Sequence, residues 1–165
     1  SPVFAQFRRG DERLNSRNVL MKISAKTEYA CVAMLELASR YGSGEPVRIR
    51  KIAERHDIPP RFLVQILLQL KGAGLVASTR GAAGGYHLIQ PPESVSLGAV
   101  MDVIEGASNN GQRKVCSASP DSPAVKVLIQ AWKSVNDVEK EMLSGITFAE
   151  LLERTRQRDG QMYYI

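Results

Sequence analysis

From residue 24 onward the apolar positions recur at helical spacing. Tyr29, Ala33, Leu37 and Tyr41 step by four, with Ala30, Met34 and Ala38 beside them, which predicts a helix with one broad apolar face. Ser24 stands where an N-cap belongs, and Gly42-Ser43-Gly44 closes the segment. Pro46 and Val47 form a short extended link. A second short helix then places Ile49, Ile52 and Ala53 inward and Arg48, Arg50, Lys51, Glu54 and Arg55 outward. His56-Asp57-Ile58-Pro59 reads as a turn, and Pro60 suits the first turn of a third helix, where its missing N–H is harmless. That helix carries Phe62, Leu63, Ile66, Leu67 and Leu70 on one face and Arg61, Gln65 and Gln69 on the other, up to Gly72 and Gly74.

Two short helices joined by a tight turn, the second with a polar N-terminal half, describe a helix-turn-helix, whose second helix enters a major groove. A plain packed helix pair has the same pattern, so the next stretch matters. Leu75 to Arg80 alternates like a strand, Gly81-Ala82-Ala83-Gly84-Gly85 is a turn, and Tyr86 to Ile89 is a second strand. A hairpin directly after the recognition helix is a wing. Its glycines let the backbone turn tightly and approach a phosphate closely. The turn leads into a strand and lacks a following Lys-Ser/Thr, so it does not read as a nucleotide-binding loop.

Beyond Pro91-Pro92, Ser94 or Ser96 caps a helix with Leu97, Val100, Met101, Val103 and Ile104 apolar, ending at Gly106. Residues 107–123 are a polar loop. The longest helical pattern runs from Ala124 to about Leu143, where Val125, Leu128, Trp132, Val135, Val138 and Met142 step by three or four. Such a seam can pack within one chain, but a small head with a long lone stripe is better explained by two copies paired along this helix. Thr147 caps a final short helix through Phe148, Leu151 and Leu152. The expected fold is mainly α with a small β wing. The expected divisions are a basic extension (1–20), a winged helix-turn-helix (21–92), a linking helix and loop (93–123), a dimerisation helix with a short final helix (124–157), and a tail (158–165).

Charge sharpens this picture. The 165-residue chain has a formal net charge of +5. Residues 21–92 contain ten Lys/Arg and five Asp/Glu, whereas residues 93–165 contain eight and ten. A basic head on a mildly acidic remainder makes nucleic acid the expected partner class. Residues 1–20 have four Arg, two acidic residues and no periodic pattern; they read as an extension or as a basic arm on DNA. No apolar run approaches the roughly 18 residues that span a bilayer, and the first 20 residues show no signal-peptide core, so a cytoplasmic protein is expected. Two cysteines, Cys31 and Cys116, are too few for a disulfide framework or a zinc site of their own.

From Met21 to about Arg156 the chain resembles the Rrf2 family of bacterial winged-helix transcription factors. The resemblance rests on MKISAKTEYA, on KIAERHDIPPRFLVQILLQLKGAGLVASTRGAAGGYHL, on SLGAVMDVIEG, on the helix bearing Trp132, and on ITFAELLE. It implies a homodimer that binds a partly palindromic operator, usually as a repressor. Arg61 and Gln65 match positions facing bases or the groove, and Arg80, with Gly81, Gly84 and Gly85, matches the wing that enters the adjacent minor groove. Lys26, Thr27 and Tyr29 match positions near the DNA backbone; Tyr29 equally suits core packing. With the seam read above, the expected dimer contacts are Val125, Leu128, Trp132, Val135 and Met142.

Cluster-bearing relatives place three cysteines in the loop before the long helix; here Cys116 stands alone, and a histidine ligand falls near Ile129. Glu28 matches an acidic ligand position, but one thiolate and one carboxylate fall short of the four ligands an iron–sulfur cluster wants. The expectation is a regulator with no cofactor and no metal. The alternative is a cluster-bearing redox or nitric-oxide sensor. Cys116, near Arg113 and Lys114, is a candidate redox thiol. A thiol enzyme is the distant alternative, because no base lies near Cys116 in sequence. Cys31 is expected in core packing, and a protein or small-molecule effector remains open.

Overall fold

A computed structural model of the chain describes residues 23–108, 119 and 121–162. Six helices and one hairpin follow in order: α1 (Ala25–Ser39), α2 (Ile49–His56), α3 (Pro60–Gly72), β1 (Val76–Thr79), β2 (Gly85–Leu88), α4 (Leu97–Ser108), α5 (Pro123–Gly145) and α6 (Phe148–Met162).

Helix α1 forms the centre of the head. Ser24 is its N-cap, its Oγ accepting the Thr27 N–H at 3.2 Å. Ala30, Ala33, Met34, Leu37 and Ala38 are buried, and α1 touches α2, α3, α4, α6 and β2. The turn between α2 and α3 holds Asp57 in the left-handed region (φ 52°), a conformation that Asp tolerates better than most residues. Behind it, buried Ile58 donates its N–H to the Ala53 carbonyl at 3.0 Å. Pro60 opens α3 as expected.

The wing strands pair antiparallel, from Val76 opposite Leu88 to Thr79 opposite Gly85. The extended link before α2 joins them: Val47 and Tyr86 exchange both backbone hydrogen bonds at 2.8 Å. This close pairing explains the glycines. A Cβ on Gly85 would lie 2.5 Å from the Val47 carbonyl oxygen, and one on Gly84 would lie 2.2 Å from that of Thr79.

Two boundaries differ from expectation, and the cap of α4 is decided between its two candidates. Helix α4 passes through Gly106 to Ser108, because glycine in a helix costs only about 1 kcal/mol. Ser96 is its cap, the Oγ accepting the Ala99 N–H at 3.1 Å, while Ser94 closes a short 3-10 turn, Pro92–Ser94. Helix α6, capped by Thr147 Oγ1, has 15 residues and reaches into the stretch expected as a tail. Its polar second half keeps helical spacing with charged pairs such as Glu150–Arg154.

The foot of α6 locks into the head. The Leu97 N–H donates to the Ile146 carbonyl at 2.7 Å, the Phe148 N–H donates to that of Val95 at 3.0 Å, and the Phe148 side chain is fully buried.

Gly85→Ala is expected to destabilise the chain by about 3 kcal/mol through its clash with the Val47 backbone. Gly81→Ala, with a positive φ but open space, should cost only about 1 kcal/mol. Urea unfolding of the two variants checks the order.

Candidate nucleic-acid interface

The outer face of α3 presents Arg61 and Gln65 to solvent. Arg61 has company: its guanidinium lies 4.9 Å from the centroid of the Phe62 ring, a cation–π distance. Phe62 in turn sits 6.1 Å from the Tyr29 ring, within the range of aromatic pairs. Phe62, expected inward, is 37% exposed and joins the start of α3 to the start of α1. The reason is position: it lies on the flank of α3, where α1 covers only part of the ring. Gln69, expected outward, is half-buried, and its Oε1 lacks a hydrogen-bond partner among the described residues.

Lys26 is partly exposed one turn before Ala30, and Tyr29 is half-buried in the aromatic pair. Thr27 is different. It is fully buried, and its Oγ1 meets Ser24 Oγ at 2.9 Å and Glu105 Oε1 at 3.4 Å. The capping geometry turns it inward, so it fastens α1 to α4 and offers no side chain to DNA. On the wing, Arg80 and Gly81 are exposed, Gly85 is half-buried and Gly84 is buried. Gly84 therefore closes the turn and presents no face to a phosphate; its N–H donates to the Gly81 carbonyl at 3.0 Å. Lys71 Nζ donates to Ser78 Oγ at 2.7 Å, linking the end of α3 to β1.

A group with no sequence signature holds this unit in place. Glu36 is buried in α1, and both its oxygens are used: Oε1 accepts from Arg55 Nη1 at 3.0 Å, and Oε2 pairs with His56 Nε2 at 3.1 Å. Arg55 and His56 end α2, directly before the turn. Arg55 is exposed, as expected from sequence, while its guanidinium reaches this carboxylate.

On α5, Leu128, Trp132, Val135, Val138 and Met142 are all exposed, Trp132 at 49%. Val125 is buried within its own chain and so stands apart from that open stripe. Cys116 lies outside the described residues. No helix among the described residues is long and apolar enough to cross a membrane.

The winged helix-turn-helix, with a basic outer face, matches known proteins in sequence and in shape. A family model, Rrf2, described as an iron-dependent transcriptional regulator, matches residues 23–154. The chain belongs to the Rrf2 family. The transcriptional regulator CymR of Bacillus subtilis is 34% identical over 146 residues, covering 88% of this chain and all of CymR. IscR of Cereibacter sphaeroides is 40% identical over 90 residues, 54% of this chain and 58% of that protein. Among solved structures, T. potens IscR superposes with a TM-score of 0.70 at 33% identity, covering 87% of this chain and 97% of its own. The structure of B. subtilis CymR, titled a global cysteine regulator, gives 0.68 at 32% identity, with 81% and 98% covered. This Rrf2-family chain is thus a DNA-binding transcriptional regulator, and its named relatives are regulators, not enzymes.

The family's iron chemistry finds a poor donor set here. The chain has two cysteines, and no group of three or more His, Cys, Asp or Glu among the described residues is arranged to hold a metal. Cys31 is half-buried in the head, and its thiol pKa is pushed up to about 11 by burial and then by the charge of Glu105. A thiol held protonated is a weak ligand, because the thiolate is the form that binds iron. His56 is engaged by Glu36. These residues do not fit a four-ligand cluster.

Proposed function

We propose that this regulator is a homodimeric repressor that binds a partly palindromic operator and carries no iron–sulfur cluster. The observation that carries the reading is the shared surface of α3 and the wing: Arg61, Gln65 and Arg80 are exposed on a head whose sequence is strongly basic. Gln65 has the amide geometry to bond an adenine edge in the major groove, and Arg80 suits a narrow A·T-rich minor groove. Arg61, drawn over Phe62 toward the start of α1, suits a phosphate beside Lys26. Pairing along the open stripe of α5 supplies two heads, and two heads require two half-sites. Occupying such an operator is enough to exclude polymerase. The cluster-free reading is supported by the two-cysteine count and the inward, protonated Cys31.

Binding of the full chain to DNA from upstream of its own gene, titrated with salt, tests the reading. Affinity is expected to fall steeply with salt, and Arg80→Ala should weaken binding by about 1–3 kcal/mol. Equal affinity of the variant and the wild type would remove the wing from the interface.

Sedimentation of the wild type should give a dimer. Trp132→Ala, at an exposed position, should shift it toward a folded monomer. An unchanged dimer would place the interface elsewhere.

Protein purified without oxygen should be colourless and free of iron. Iron in stoichiometric amount, with visible absorption, would replace this reading with that of a cluster-bearing sensor.

A further inference from the structure

Helix α3 leaves more apolar surface open than its packing explains. Leu63, Ile66, Leu67 and Leu70 already seal its inner side, yet Val64 is 42% exposed and Leu68 55%. Helical geometry places Arg61, Val64, Gln65 and Leu68 along one outward band, since residues three and four apart are neighbours on the surface. The two apolar side chains therefore stand among the groups that face DNA. The charge around them is one-sided: α3 contains Arg61 and Lys71 and no acidic residue. Such a face suits a polyanion better than a second apolar protein surface.

A major groove offers one apolar feature to a side chain, the C5-methyl of thymine. We propose that Val64 reads a thymine methyl and so specifies a T·A pair beside the base contacted by Gln65. This assignment rests on the DNA-binding reading of the head. Val64 is the better placed of the two because it lies in the N-terminal half of α3, the part of a recognition helix that meets base edges. Its β-branched side chain has one strongly preferred rotamer in a helix, so its methyls are already aimed and little rotamer freedom is lost on contact. Cytosine at the same place would bring an N4 amino donor against Val64, which has nothing to accept the hydrogen bond. Leu68, one turn further along, borders the same patch.

The test uses the full chain and an operator selected from random duplexes. Each thymine is then replaced by deoxyuridine, which removes the methyl alone. At one thymine per half-site the wild type is expected to lose about fourfold in affinity, the value of one buried methyl. Val64→Ala should bind more weakly and show no further loss at that thymine, whereas Arg80→Ala should keep the full methyl sensitivity. Circular dichroism verifies that Val64→Ala, at an exposed site, remains folded. If every replacement leaves wild-type affinity unchanged, or if Val64→Ala keeps the same sensitivity, the assignment of Val64 is overturned while DNA binding stands. A chain that selects no duplex overturns both. Self-association that Val64→Ala abolishes, with no methyl effect, gives the patch to a second copy instead.

Discussion

The head is organised by a single helix that other elements cover on several sides. Ala30, Ala33 and Ala38 keep α1 narrow, so α2, α3, α4, α6 and β2 all reach it. That one helix also grips both halves of the helix-turn-helix. Near its start, Tyr29 meets Phe62 at the beginning of α3; two turns later, Glu36 holds Arg55 and His56 at the end of α2. The turn at Asp57 is suspended between those two grips. A buried carboxylate gains little net stability from its partners, because its desolvation offsets most of the attraction. The contribution of Glu36 is therefore to orientation, and apolar burial supplies most of the stability.

The same logic of fixed ends governs the wing and the long helix. The wing is a two-stranded ribbon, which on its own is marginal. The paired hydrogen bonds between Val47 and Tyr86 root it on the link before α2, so the wing and the recognition helix share one base. At the other side, the backbone bonds of Val95 and Leu97 hold the junction of α5 and α6, and buried Phe148 fills the space beneath. Helix α5 thus leaves the head in a set direction, with its apolar stripe from Leu128 to Met142 exposed.

What the sequence showed and what it hid follow from the range of each interaction. The helical spacing of α1, the Ser24 cap, Pro60 at the start of α3 and the glycine turn of the wing are local features, and each was legible. The pairing of Val47 with Tyr86 and the seat of Phe148 join distant segments through two or three backbone bonds, which leave no periodicity to read. Side-chain type also misleads at helix flanks. Phe62 counts as apolar, which points it inside, yet it lies at the surface in a tilted pair with Tyr29. Gln69 counts as polar, which points it outside, yet it is half-buried, whereas Arg55 stays exposed as expected while its guanidinium reaches Glu36. In the candidate site, Arg61, Gln65 and Arg80 emerge exposed, while Thr27 and Gly84 turn inward. Matching a residue to a position fixes its type; the direction of its side chain depends on caps and close approaches that only the fold reveals.

Charge and short-range contact divide the work of recognition between them. The surplus of positive charge lies within residues 21–92, and residues 93–165 carry a slight negative excess. A polyanion is therefore drawn to the head, because α5 and α6 carry equal numbers of basic and acidic residues and so no net charge. At physiological salt the Debye length is about 8 Å, so this field acts only near contact and is blind to sequence. Discrimination must come from groups that touch base edges. In the proposed reading Arg61, turned toward the aromatic pair, and Lys26, at the start of α1, meet phosphates. On that reading the choice of sequence falls to the band of α3 around Gln65 and to Arg80 at the wing. Reading a base edge requires a side chain on a fixed base, and Glu36, Phe62 and the Val47–Tyr86 pair fix the elements that carry these residues.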